Sequence, residues 1–326
     1  MARSRPGGAA LLLLAAGALA IAGCGGSDSK RSSSDAGPAP AEQAQQFPKA
    51  LGQPLQELAA NRPQGPILAP ANSVLRPGSN RFGFALFDQA KKQLTGAPVA
   101  LYVAAADGSN ARGPFVARSE SLAVKPRFAS RTTAQDTDAA KSVYVSTIQL
   151  RRPRHQVVWA LARLDGRLVA SSVAQVIVGG RGPPPLGAPA PRIHTPTSPP
   201  AAIDSIDTRV PPDTMHAVDF ASVVGRKPVL LVFATPRLCM SRTCGPVVDE
   251  AQQLAATYGR QMAFIHMEVY NSNEVEQGYR PQLKAWGLQT EPWVFAIDRR
   301  GRIAAELEGP ASVAEIQHAI TKALRG

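Results

Sequence analysis

Between residues 66 and 180 apolar and polar side chains alternate, whereas beyond residue 204 the apolar positions merge into solid runs separated by helical spacings. The first pattern predicts strands that bury one face; the second predicts strands buried on both faces and flanked by helices. In "RFGFALFD" Phe82, Phe84 and Leu86 share one face. "APVALYVAA" (97–105) and "SVYVSTIQL" (142–150) are β-rich runs bounded by glycine, proline or charged residues. "QVVWALARL" and "RLVASSVAQVIV" flank Asp165-Gly166, a pair that predicts a tight hairpin because both turn positions need positive φ.

Further on, "KPVLLVFAT" (227–235) is a continuous apolar run suited to a central strand. Val247, Ala251, Leu254, Ala255 and Tyr258 then recur at helical spacing from Pro246, and Gly259 stops the helix. "QMAFIHMEV" (261–269) predicts a second buried strand, "PQLKAWG" a short helix, and "TEPWVFAID" (290–298) a third strand. Residues 299–301 turn the chain so that "RIAAELEG" returns antiparallel. Ser312 with Glu315 three residues on is a capping box, followed by Val313, Ile316, Ile320 and Leu324 on one face. The predicted order is β-α-β-α-β-β-α, an α/β sheet with helices on both sides. Residues 66–180, where helical periodicity is weak, are expected to form an all-β sandwich of immunoglobulin-like type.

Composition places the connections. Residues 24–45 contain almost no large apolar side chain and are expected to be a flexible tether. Residues 181–203 are proline-rich and predict an extended spacer ahead of a domain spanning 204–326. The start reads as a processed leader: Arg3 and Arg5, then the apolar "AALLLLAAGALAIA", which is short for a membrane span. Its end, "LAIAGC", resembles the lipobox of bacterial lipoproteins. That resemblance implies a signal peptide over residues 1–23, cleavage before Cys24 and lipidation of Cys24, anchoring the chain to the outer face of the cell membrane. Without Cys24 two cysteines remain, and in an oxidising compartment a Cys239–Cys244 disulfide is expected.

Charge changes this picture little. The formal net charge is +12, and +10 once Arg3 and Arg5 are removed, which suits a solvated surface and attraction to anionic lipid headgroups. The densest basic cluster, "RRPRH" (151–155), is short and lies between strand-like runs, so nucleic acid is not an expected partner. The β-rich region has no cysteine and a single histidine, His155, and presents no chemistry of its own.

Residues 204–326 resemble the thioredoxin superfamily. A buried strand ends at Phe233-Ala234-Thr235 just before the cysteines, "CGP" (Cys244-Gly245-Pro246) opens the next helix, and Pro292 precedes the third strand, where the family has a cis-proline facing its active site. The resemblance implies a thiolate held at a helix N-terminus, where the dipole and free N–H groups lower its pKa, with Arg237 and Arg242 adding positive field. Four features depart from the family pattern. The pair is stretched to Cys-Met-Ser-Arg-Thr-Cys, Val247 stands where the second cysteine would be, and Val232 stands where thioredoxin has a buried acid. A tryptophan before the nucleophile is missing as well. Counting from Phe233 places Cys239 one residue beyond the nucleophile position, while counting back from the helix places Cys244 in it; the latter is favoured, with Cys239 reaching back from an inserted loop.

Three functions are compatible with these residues. The first is a thiol–disulfide oxidoreductase acting on thiols and disulfides of exported proteins through Cys239 and Cys244, with Glu291 and Pro292 shaping the substrate groove and no resident cofactor or metal. An electron donor, marked by no motif, would complete its cycle. The second is a thioredoxin-fold copper-binding protein using the two cysteines and one of His216, His266 or His318; within an apolar strand, His266 reads more readily as a satisfied core histidine. The third is a lipid-tethered scaffold whose disulfide only braces a loop, worth at most about 2–3 kcal/mol by chain entropy. A peroxidase is disfavoured, because the cysteine motif does not match the peroxiredoxin loop.

Overall fold

A computed structural model describes residues 40–151 and 155–326. The leader, Cys24 and most of the expected tether lie outside these residues, as do three residues of the basic cluster; the end of that tether is a short helix, α1 (Pro40–Ala44).

The alternating region builds one ten-stranded sheet. Its main path contains β1 (Ile67–Pro70), β2 (Gly78–Phe87), β3 (Val99–Ala105), β4 (Arg112–Ser121), β5 (Ser142–Leu150), β6 (His155–Leu164) and β7 (Ala174–Ile177), in the order β7-β6-β3-β4-β5-β2-β1. Phe82, Phe84 and Leu86 are fully buried, and the Phe84 ring stacks on Tyr144 of the neighbouring strand at 5.4 Å. The hairpin after β6 turns through Asp165 (φ 47°) and Gly166 (φ 77°), the left-handed pair that the sequence predicts.

The sheet curls because β4 serves both halves. Its first part pairs with β3 (Val99↔Ala117) and its last part with β5 (Arg118↔Val145). The two ends of the path then approach each other, with Ser172 N–H donating to Pro66 O and Gly179 N–H to Leu75 O. One apolar core fills the interior. The region is all-β as its alternation implies, but its strands form one continuous hydrogen-bonded path; division into the two sheets of an immunoglobulin-type sandwich is a finer statement than this bonding supports.

The solid apolar runs form a separate four-stranded sheet: β8 (Val229–Phe233), β9 (Ala263–Met267), β10 (Trp293–Ile297) and β11 (Ile303–Glu308), in the order β9-β8-β10-β11. The pair β8–β9 is parallel; β8–β10 and β10–β11 are antiparallel. Central β8 is buried on both sides, which explains its unbroken run. Leu230 and Val232 face the helices Cys244–Tyr258 and Val313–Arg325. Val229, Leu231 and Phe233 face Phe220 and Trp286, the latter on the helix Pro281–Trp286. Ser312 and Glu315 close the expected capping box. Strand and helix alternate with helices packed on both faces of the sheet, as the apolar pattern predicts.

The two sheets belong to one compact unit, Pro40–Gly326. Arg81 of β2 donates to both carboxylate oxygens of Glu315 and to Pro310 O. The proline-rich segment is docked: Gly187 and Ala190 donate to Ile303 O and Gly301 O, and Ile193 enters the core. It thereby pairs with the chain at the start of β11.

Candidate functional site

The chain leaves β8 at Phe233, makes a loop, and enters the helix α2 (Cys244–Tyr258). Arg242 turns that loop with φ 59°. Cys239 and Cys244 form a disulfide with their Cα atoms 5.9 Å apart. Cys239 is 5% exposed and Cys244 not at all.

The anion-stabilising groups converge on Cys239. The backbone N–H of Cys244, the first helical residue, donates to Cys239 Sγ at 3.2 Å, and Ser241 Oγ lies 3.2 Å from the same sulfur. Cys244 therefore occupies the helix start as expected, but the N–H that a thiolate would use there points at its partner. In the disulfide form this N–H therefore serves Cys239 and not Cys244. Val247 and Val232, at the positions of the family's second cysteine and buried acid, are core residues.

A carboxylate nevertheless stands at the pair. Glu291 precedes Pro292 through a cis peptide bond, the isomer expected from the sequence. Its ligand oxygen and the two sulfurs all lie within 4.8 Å of one another. Glu291 Oε2 accepts the Thr235 N–H at 2.6 Å, whereas buried Oε1 has no hydrogen-bond partner among the described residues. Burial pushes the Glu291 carboxyl up to about 8, aided by the nearby Glu268 carboxylate and opposed by the Thr235 N–H. The sequence marks Glu291 as a residue expected to shape a substrate groove; the structure places it against the sulfurs, and no local pattern signals that burial.

The raised carboxyl has a measurable consequence. Folded Glu291 keeps its proton up to about pH 8, and the unfolded chain releases it near 4.5. Within that window the folded state binds the extra proton, so stability falls as pH rises, by about 1.4 kcal/mol per pH unit from this group. Glu291→Gln is expected to make the decline shallower by about that slope and to melt higher than the parent at pH 8. Denaturant titrations between pH 5 and 8 check this; parallel curves for parent and variant contradict the assignment.

The β-rich region clamps the cysteine-bearing loop through residues 126–140, where no periodicity predicts structure. Ser130 caps a short helix, Arg131–Gln135. Its N–H and hydroxyl both donate to Asp249 Oδ2 on α2. Ala140 N–H donates to Arg242 O, and Arg242 pairs with Asp136 at 3.3 Å. Thr133 packs so closely on α2 that a Cβ at Gly245 would lie 2.6 Å from its hydroxyl. Beside the disulfide opens a groove of about 850 Å³, walled by Met240, Arg242 and Glu291 and by Phe87, Lys92 and Lys141. Met240, 91% exposed, projects from its rim.

The histidines needed for a copper site do not join the sulfurs. His266 is held by Asp213 (2.7 Å) and Ala234 O (2.9 Å), and its ring centroid lies 5.1 Å from that of His216. His318 is exposed on the last helix. Among the described residues, the metal-capable group at the cysteines contains Cys239, Cys244 and Glu291 and no histidine.

No protein-family model and no curated protein matches the chain. Among solved structures 12 chains match. One of these is a thiol:disulfide interchange protein, a thioredoxin family protein, from Chlorobium tepidum TLS. It is 20% identical; the match covers 43% of this chain and 99% of that one, with a TM-score of 0.31.

Proposed function

We propose that the chain is a membrane-anchored, extracytoplasmic thiol–disulfide oxidoreductase working through Cys239 and Cys244. The observation that carries this reading is the helix N–H aimed at Cys239 Sγ, with the buried Glu291 carboxyl beside both sulfurs. A thiolate stabilised in this way is a competent leaving group and nucleophile.

In the oxidising direction a client thiol loses its proton to water and its thiolate attacks Cys239 Sγ. A client–Cys239 bond forms, the Cys239–Cys244 bond breaks, and the electron pair leaves on Cys244 Sγ, which takes a proton from Glu291. A second client thiol returns a proton to Glu291 and attacks the first client sulfur, releasing Cys239 as a thiolate. Two client thiols become a disulfide, the protein disulfide becomes a thiolate and a thiol, and one proton goes to water. The reverse sequence reduces a client disulfide. Clients are exported proteins, received as extended segments in the groove beside Pro292, with the β-rich region forming one wall.

Location rests on the sequence: the short apolar leader and Cys24 support a lipid anchor on the outer face of the cell membrane. Among the described residues no helix is long and apolar enough to cross a membrane.

The competing reading, a scaffold braced by a structural disulfide, is favoured by the burial of both sulfurs. Reduction of a model protein disulfide by the dithiol-reduced chain separates the two. Turnover is expected from the parent and none from a Cys239→Ser/Cys244→Ser chain that folds normally by circular dichroism. A folded parent without turnover would leave the staple.

A further inference from the structure

We propose that Asp207, Asp213, His216 and His266 form a four-ligand site for a divalent transition-metal ion of the zinc class, separate from the cysteines. One ligand atom from each lies within 4.8 Å of all the others, and all four residues are buried. Three come from the segment leading to β8, and His266 comes from β9.

The spacings suit a tetrahedron. His216 Nε2 is 3.5 Å from Asp207 Oδ2 and 3.5 Å from Asp213 Oδ1. His266 Nδ1 is 2.7 Å from Asp213 Oδ2 and 3.9 Å from Asp207 Oδ1. Zinc–nitrogen and zinc–oxygen bonds of about 2.0–2.2 Å place tetrahedral ligands about 3.3–3.6 Å apart, so the two 3.5 Å contacts of His216 match and the 2.7 Å His266–Asp213 contact would open by about 0.6–0.9 Å around an ion.

Two further observations point to a ligand. His216 is 3% exposed, and its Nε2 faces the two carboxylates without a hydrogen-bond partner among the described residues. An orphan nitrogen in a buried, charged cluster calls for a partner. The other ring is anchored as metal-binding imidazoles are: His266 Nε2–H donates to Ala234 O at 2.9 Å, while Nδ1 meets Asp213 Oδ2 at 2.7 Å and would release the proton they share when an ion binds between them. The carboxylates are themselves fixed. Asp207 accepts from the N–H groups of Arg209 and Asp213, and Asp213 accepts from that of Met215.

Donor chemistry sets the class. Two imidazoles and two carboxylates without sulfur suit Zn²⁺ and Co²⁺, whereas Cu(I) selects thiolate. Ca²⁺ takes six to eight oxygens. Because His266 holds Ala234 O at the root of the redox loop, and Thr208 Oγ1 accepts the Arg237 N–H within it, the ion would brace the loop from beneath.

The test uses the full chain with its disulfide intact, stripped by chelator and titrated with Co²⁺ and then Zn²⁺. The expected result is one equivalent with the visible spectrum of tetrahedral Co²⁺, displaced by Zn²⁺, and a raised melting temperature. His216→Ala is expected to weaken binding about 100-fold or more, while Cys239→Ser/Cys244→Ser keeps it. Should His216→Ala not fold, the parent decides through its stoichiometry and the tetrahedral spectrum without thiolate charge transfer. Retention of no ion by the folded parent overturns the proposal and leaves a buried ion-pair network only. Binding that survives His216→Ala and disappears in the double cysteine variant overturns it too.

Discussion

Chain carrying Cys244→Ser is expected to accumulate mixed disulfides, formed when its Cys239 thiolate attacks a client disulfide and expels the client's other sulfur as a thiolate, whereas chain carrying Cys239→Ser is expected to accumulate none. The asymmetry follows from where the stabilising groups point. Cys239 Sγ receives the N–H of the first helical residue and lies against Ser241 Oγ, and it is the more exposed of the two sulfurs. Cys244 is sealed beneath it and can act only on a sulfur already joined to Cys239. Without Cys244 the intermediate persists for want of a resolving thiol; without Cys239 the remaining thiol has no access. Either substitution is expected to lower turnover by about 10³-fold or more, since nucleophile and resolving group act as a unit. Thiol trapping followed by non-reducing electrophoresis reads the adducts. Adducts in Cys239→Ser and none in Cys244→Ser would exchange the two roles.

The second large effect concerns stability. Arg209 and Asp249 form a buried ion pair at 2.8 Å, with side chains 5% and 2% exposed. The same guanidinium donates to Phe128 O and to Pro211 O, joining the β-rich region, the segment before β8 and α2 at one point. Arg209→Ala leaves the Asp249 carboxylate buried with Ser130 as its remaining donor. The expected loss is about 3–5 kcal/mol, because a buried charge without its partner costs far more than the intact pair contributes. The melting temperature should fall by on the order of 10 °C. A double variant, Arg209→Met with Asp249→Leu, should recover most of that loss. A single variant melting within a degree or two of the parent would show that the pair does not hold the clamp.

Both effects depend on residues of unequal legibility. Val229–Phe233 announces a central strand because both its neighbours are apolar layers. Asp165-Gly166 and the Ser312–Glu315 box are visible because local backbone needs dictate residue type. Pro292 stands out against the strand that follows it. The clamp and the proton-bearing acid leave no such trace. Ser130 meets Asp249 across 119 positions, a contact no local pattern encodes. Glu291 reads as a groove residue beside Pro292, but the burial that raises its carboxyl, against the Thr235 N–H that lowers it, is not visible in the sequence. His266 reads as a core histidine, and in the ion-free protein its ring nitrogens meet Asp213 and Ala234 O. Its association with His216 and Asp207 depends on how the entry segment folds over β9. The proline-rich segment reads as a spacer from composition, yet its carbonyls and N–H groups find partners at the start of β11.

The reduction potential of the Cys239–Cys244 couple in the full chain, measured by thiol trapping across a dithiol redox series, tests the redox assignment most directly. Stabilisation of the Cys239 thiolate by a helix N–H favours the reduced form, so the expected value lies above about −250 mV, among catalytic disulfides. A value below about −300 mV would make the pair a structural bridge and contradict the assignment.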